Sequence, residues 1–378
     1  MKITKLSLVA VMAMSSAFAG GDITPEEPVV AVPAIKITAC NPNTTINGKA
    51  HAYYYTNDSV DLFDSDSSQL GTAITLDVSH KLFDGVTANF SAIGYANLMS
   101  DNFEYMEASE TGAFFNAANI TATFADTTLV AGRQLLDTPM LGGFDWLLAP
   151  GTFEAYTLAN SSIANLTLVG SYVAKWRPNN TGDTFVDLTD IGDGNNWTVG
   201  AAYSDTFNVS AWYYNVDSRN YTQVYADAGF DFSSAKIAAQ YANTDYDGLA
   251  EDSTMFGLKA SATLGAFELT AAYNNVADNV TAFIGRDSLY ASSWNTLASN
   301  SVGDAYKVEA STVFGTLSAA ASYSYYEYKQ DNDEGSEIDV ILGYGITNCF
   351  SVDAIYSNTD YGIGEDENAL ELVATYKF

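Results

Sequence analysis

The chain is poor in the groups from which catalytic and metal sites are built. It has two Cys, two His, seven Pro and 15 Lys+Arg among 378 residues. Two cysteines cannot make a disulfide scaffold, and with two histidines they leave little for a His/Cys metal centre. Fifteen bases against 46 acids give a net charge of −31, which repels phosphate backbones and excludes nucleic acid as a partner. No later stretch offers the roughly 18 consecutive apolar residues of a membrane-spanning helix. His51 and His80 are accompanied by no nucleophile motif, and no helix is expected after Gly362-Ile363-Gly364 to make it a dinucleotide loop, so no enzyme is expected. Only 16% of residues are charged while 13% are aromatic, with 25 Tyr and 20 Phe, and that excludes a disordered acidic chain.

The first 19 residues read as a secretory signal. Lys2 and Lys5 precede an apolar run from Leu6 to Met14, and Ala17-Phe18-Ala19 supplies a small-x-small cleavage site. Losing those two lysines would move the net charge from −31 by two units to −33. Residues 20–43 form a Pro-rich periplasmic lead-in with Pro25, Pro28, Pro33 and Pro42. The chain ends on strict alternation, Leu370, Leu372, Ala374, Tyr376 and Phe378 against Glu371, Val373, Thr375 and Lys377. A last strand closing on a terminal Phe resembles that of bacterial outer-membrane barrels.

The alternation repeats across 44–378. Ile74, Leu76 and Val78 oppose Thr75, Asp77 and Ser79, and Phe267, Leu269, Ala271 and Tyr273 oppose Glu268, Thr270, Ala272 and Asn274. Aromatics gather towards the ends of the apolar faces, as interfacial girdles do. A soluble sandwich would alternate equally well. The connections separate the two readings: eight short turns, such as Asp84-Gly85 and Gly315-Thr316, alternate with nine longer polar stretches. The expectation is an all-β fold, a transmembrane antiparallel β-barrel of about eighteen strands with short periplasmic turns and longer extracellular loops.

A barrel of 16–18 strands leaves an aqueous channel, so a loop must narrow it. The third long loop, 136–150, is the expected constriction. Around it, Ala131-Gly132-Arg133-Gln134-Leu135-Leu136-Asp137-Thr138-Pro139 and Leu148-Ala149-Pro150-Gly151-Thr152-Phe153-Glu154 resemble the flanks of this loop in OprD-type porins. They are also similar to those of the major outer-membrane porins of epsilon-class proteobacteria. The resemblance implies a passive pore in the Gram-negative outer membrane, a homotrimer, and a pore-lining cation at Arg133 near Asp137, Asp145 and Glu154. Arg133 inward would bring Leu129 inward too unless a bulge intervenes, and a structural salt bridge is the other reading of this arginine.

With the aliphatic side facing lipid, the lumen receives Lys49, Lys236, Lys259, Lys307 and Lys377 against Asp77, Glu268, Glu309, Glu337, Asp339, Asp353 and Glu371. The acidic excess falls in loops such as Asp58, Asp61, Asp64 and Asp66. Negative mouths gather cations over ~8–10 Å at physiological salt. The expected function is therefore passive diffusion of small hydrophilic solutes and ions with weak cation preference, in contact with lipid bilayer and lipopolysaccharide. The alternative is a receptor or adhesin binding through loops 177–195 and 277–302. No cofactor is expected, apart from Ca²⁺ at Asp187/Asp190/Asp193 or Asp331–Glu334, neither of which has calcium-loop spacing. Cys40 and Cys349 both fall on the oxidising periplasmic side near the closure of strand one on strand eighteen. They are expected to form a disulfide, two separate thiols being the alternative.

Overall fold

The computed structural model describes residues 43–99, 105–106, 111–143, 147–179, 189–190, 194–248, 251–285, 287–329, 333–362 and 364–378. Eighteen long strands follow one another in the chain. The first nine are β1 Thr44–Asn57, β2 Ser68–Phe83, β3 Val86–Asn97, β4 Gly112–Phe124, β5 Thr127–Gln134, β6 Thr152–Ile163, β7 Leu166–Arg177, β8 Asn196–Ser204 and β9 Phe207–Val216. The second nine are β10 Tyr221–Asp231, β11 Ala235–Tyr246, β12 Ser253–Leu264, β13 Phe267–Ala277, β14 Gly303–Phe314, β15 Leu317–Tyr328, β16 Asp333–Thr347, β17 Phe350–Asp360 and β18 Glu367–Lys377.

Every strand pairs antiparallel with its neighbours, and β1 pairs with β18 from Lys49↔Lys377 to Asn57↔Ala369, which closes the sheet. Closure removes the edge whose unpaired backbone groups could not be tolerated in hydrocarbon. Phe378 extends this seam: its N–H donates to the Gly48 carbonyl at 2.9 Å, and Gly48 N–H donates back at 2.8 Å. A Cβ at Gly48 would collide with the Phe378 ring. Gly48 thus seats the terminal aromatic.

The pleat sorts the side chains. Ile74, Leu158, Val199, Phe256, Leu269, Val308 and Ile338 stand exposed on the outer face. In water such a surface would drive aggregation, whereas in a bilayer it is solvated by lipid. At the short-turn end Phe83, Phe124, Phe207, Phe267, Phe314 and Tyr344 form an exposed aromatic belt. The two-residue turns are chemically specific. Gly265 and Gly315 both take φ +65° at the first turn position, where an L side chain is strained and which suits the twist of a hairpin.

The buried apolar residues lie inside the barrel. One cluster joins Leu136, Met140, Leu141 and Phe153 to Trp212, Tyr214 and Tyr225, together with Ile284 and Leu289. A second joins Tyr53, Tyr55, Ile93, Tyr95 and Met106 to Leu147 and Leu148. Loop residues supply part of each. The interior is partly filled by loops.

Candidate functional site: the loop-filled lumen

The described residues of the third long loop pack against inward-facing wall residues. The loop makes a small hairpin, Asp137–Thr138 against Leu141–Gly142, whose Leu136, Thr138, Met140 and Leu141 are buried. Tyr214 on β9 fixes it, donating its hydroxyl proton to Thr138 Oγ1 at 3.2 Å while its oxygen accepts from Met140 N–H at 3.2 Å.

A second loop, 278–302, meets it there. Leu141 and Ile284 form a parallel bridge, with Gly142 N–H donating to Ile284 O and Ile284 N–H donating to Met140 O, both at 3.0 Å. Ser288 Oγ donates to Pro139 O at 2.6 Å. Two loops far apart in the chain are thus zipped together by backbone bonds. The expectation of an external binding loop at 277–302 does not hold, because Leu289, Ala291 and Ser299 are fully buried in the lumen. The sequence carried an unused signal. Three charges (Asp278, Arg286, Asp287) accompany many apolar residues over 278–302, a composition that water solvates poorly. Burial pushes the Asp287 carboxyl above its ordinary range, although Ser299 and Ser292 donate hydrogen bonds to it.

From the zipped end the loop crosses to the far wall. Ser293 Oγ, Asn295 N–H and Thr296 Oγ1 donate to the Glu337 carboxylate at 2.8, 2.7 and 2.7 Å. Trp294 Nε1 donates to Glu371 at 2.8 Å, and Asn295 Nδ2 donates to Ser357 Oγ at 2.8 Å. Lys307 Nζ donates to Ser292 O at 3.1 Å and lies 3.5 Å from Glu309. Glu337, Asp339 and Glu371 are almost wholly buried beneath this segment.

The expected constriction set divides. Asp137 sits in the inner hairpin, half-buried, and Asp145 lies outside the described residues. Arg133 and Glu154 are placed on the outer face, contrary to expectation. Gly132 pairs with Asn119 and Ala155, both inward, and the register runs unbroken from Leu129 to Arg133, so Arg133 shares the face of Leu129. No bulge intervenes to turn it. Arg133 stands opposite Glu154 and donates from Nη1 to Phe115 O, while Lys175 Nζ is 3.9 Å from Glu154. The charges sit at the long-loop end, where a bilayer interface accommodates them.

The remaining residues named for the lumen lie on inward positions of the register. Lys49 faces Thr75 and Lys377, and Asp77 faces Ser91. Glu268 faces Ser311, and Asp353 faces Gly343 and Val373. Lys259 places its ammonium 4.6 Å from the Tyr290 ring centroid. Glu309 and Asp339 share a row through Ser322. Cys349 is half-buried in the turn between β16 and β17, and Cys40 lies outside the described residues. Asp187, Asp193 and Asp331 also lie outside them. Among the described residues no group of three His, Cys, Asp or Glu is placed to hold a metal ion.

Near the long-loop end a pocket of about 410 Å³ opens between the wall and the roots of loop 278–302. Trp176, Tyr221, Tyr246 and Phe283 give it aromatic walls, and Arg219 stacks its guanidinium 5.2 Å from the Trp176 ring centroid. Among the described residues no carboxylate pairs with Arg219. Stacking leaves the guanidinium edge able to take a planar anion.

A family model described as outer membrane porin, OprD family, matches residues 96–309. Among solved structures the chain is similar to Pseudomonas aeruginosa OccK3 (OpdO), with a TM-score of 0.75 and 18% identity over 89% of this chain and 96% of that one. It is similar to the P. aeruginosa OpdK structure with vanillate, with a TM-score of 0.76 and 17% identity over 89% and 98% of the two chains. A BenF-like porin from Pseudomonas fluorescens Pf-5 gives a TM-score of 0.75 and 14% identity over 89% and 99%. No curated protein matches the chain.

Proposed function

The chain belongs to the OprD family of outer membrane porins, and from that premise we propose a weakly cation-preferring pore through which small hydrophilic solutes diffuse passively. Its place in the Gram-negative outer membrane and its role in small-solute uptake follow from the family and the barrel. The ion preference rests on one observation. The mouth carries exposed carboxylates at Asp61, Asp66, Glu334, Glu365 and Asp366. Such a field raises the local cation concentration within about a Debye length, ~8–10 Å at physiological salt. We further propose a homotrimer, to be read from the native mass in detergent, in a bilayer whose outer leaflet is lipopolysaccharide.

The test is single-channel conductance and reversal potential across a KCl gradient. Open channels with a potential displaced towards K⁺, and a displacement that shrinks in molar salt, are expected. Displacement towards Cl⁻ would overturn the preference and place selectivity on inward bases such as Lys236 and Lys259. Absence of conductance from folded protein would overturn passive diffusion through this chain.

One observation favours a finer reading of the solute. The aromatic pocket with Arg219 suits a small aromatic carboxylate, and one structural neighbour was solved with vanillate. Millimolar vanillate is expected to interrupt the single-channel current from the loop side, and 4-hydroxy-3-methoxybenzyl alcohol, which lacks the charge, to interrupt it far less. Equal effects of the two would sink this reading.

A further inference from the structure

Loop 278–302 is held in two chemically different ways. Its first half is held by apolar packing and backbone bonds: Ile284 and Leu289 join Met140, Leu141, Trp212 and Tyr225 in one buried cluster. Its second half, 291–297, keeps only Ala291 in that cluster; the Tyr326 hydroxyl on β15 donates to Thr296 O at 3.0 Å, and the wall contacts to β16, β17 and β18 are polar ones. Five of its donors reach wall acceptors there: Ser293 Oγ, Asn295 N–H and Thr296 Oγ1 on Glu337, Trp294 Nε1 on Glu371, and Asn295 Nδ2 on Ser357. Trp294 N–H adds a long contact to Asp339 at 3.4 Å.

These attachments respond differently to water. Apolar surface, once exposed, gains nothing in return. A hydrogen bond to a carboxylate is exchanged for hydrogen bonds to water, so its net contribution is a small part of its gross strength. The two ends of the loop therefore differ in how readily they detach: 280–290 is an anchor, and 291–297 is a strap that can lift while the anchor stays. Lifting it would leave Glu337, Asp339 and Glu371 facing the lumen, all three now within 1% of full burial. Lys307, which donates to Ser292 O, would lose that contact and keep Glu309.

We propose that segment 291–297 is a gate clasped by Glu337 and Glu371, and that its release both widens the lumen and bares a cluster of three carboxylates on one wall that draws cations. The channel then has a narrow, weakly selective state and a wider, more cation-selective one. This deepens the porin reading and rests on it.

The experiment compares wild-type protein with Ser293→Ala/Thr296→Ala, which removes two donors to Glu337 and leaves all three carboxylates. In planar bilayers with a KCl gradient the variant is expected to spend about a hundredfold more time at the larger conductance level, since each of the two hydrogen bonds removed from a charged group is worth roughly a factor of ten. That level is expected to carry a potential displaced further towards K⁺. Thr296→Ser, which keeps the hydroxyl, should behave as wild type. An unchanged level distribution, or a larger level with no added displacement towards K⁺, overturns the proposal. A second readout needs no current. Ser357, 2% exposed beneath Asn295, is replaced by Cys in chains with Cys40→Ser and Cys349→Ser, and a cationic methanethiosulfonate is applied to folded protein. Faster modification when Ser293→Ala/Thr296→Ala is added supports a lifting strap, and equal rates reject it. If wild-type protein does not conduct, the pore reading fails, and these rates still decide whether the strap moves.

Discussion

Arg219 shows how much one side chain can change locally in a molecule whose charge opposes it. The chain is strongly acidic, yet this guanidinium stands over Trp176 at the edge of an aromatic pocket. An arginine in such a place offers a fork of donors that matches a carboxylate, while Tyr221, Tyr246 and Phe283 offer ring faces. Arg219→Gln keeps a donor and removes the charge. A charge-assisted pair is worth about 1.5–3 kcal/mol where it is shielded from water, and the open pocket calls for the low end. Interruption of the current by vanillate is therefore expected to require about tenfold more vanillate in the variant. An unchanged requirement would remove Arg219 from the pocket's function. Arg133 teaches the complementary lesson. Its flanking motif implied an inward side while its alternation with Leu129 pointed outward, and the unbroken register of β5 between β4 and β6 follows the alternation.

Between elements, the contact of greatest consequence is the zip of the third loop to loop 278–302. Gly285 makes it possible: its φ is +84°, and a Cβ there would fall on the carbonyl oxygen of Gly142. Gly285→Ala must therefore strain the backbone and push the loops apart. Its partner position is more tolerant, since a Cβ at Gly142 would meet Thr138 O at 3.3 Å and could be relieved by a small shift. Proteinase K applied to folded protein is expected to cut within 278–302 in Gly285→Ala and to spare Gly142→Ala and wild type. Equal resistance of all three would show that the zip does not hold the loops. The alternation within each strand was readable because it is a local, period-two property. The zip was not, because Leu141 and Ile284 meet only after the barrel has brought them together.

For the molecule as a whole, closure and charge set the behaviour. The seam of β1 on β18 brings Thr44 and Phe378 to the short-turn end, where Lys377 N–H donates to the Cys349 carbonyl at 2.8 Å. Cys349 thus lies beside the seam, and the bridge to Cys40 that we propose would tie the lead-in segment to it. Denatured, unreduced protein is expected to show no reactive thiol and to migrate faster on a gel than reduced protein. Two titratable thiols per chain would leave the cysteines separate. Charge acts on the same scale: the field of the acidic mouth is collective, so no single Asp→Asn change should abolish ion preference, whereas molar salt should.

The sequence alone determined the barrel. Strand number, the inward or outward side of most wall residues and the alternation of short turns with long loops all follow from short-range patterns that a closed sheet in lipid must obey. For the third loop it offered only a motif and the expectation that this loop narrows the lumen. Only the tertiary structure decided what fills the pore. The pairing of Leu141 with Ile284, the reach of Trp294 to Glu371 and the seat of Phe378 on Gly48 join residues distant in the chain. Such contacts depend on where a closed barrel delivers its loops, and no periodicity within a strand records that.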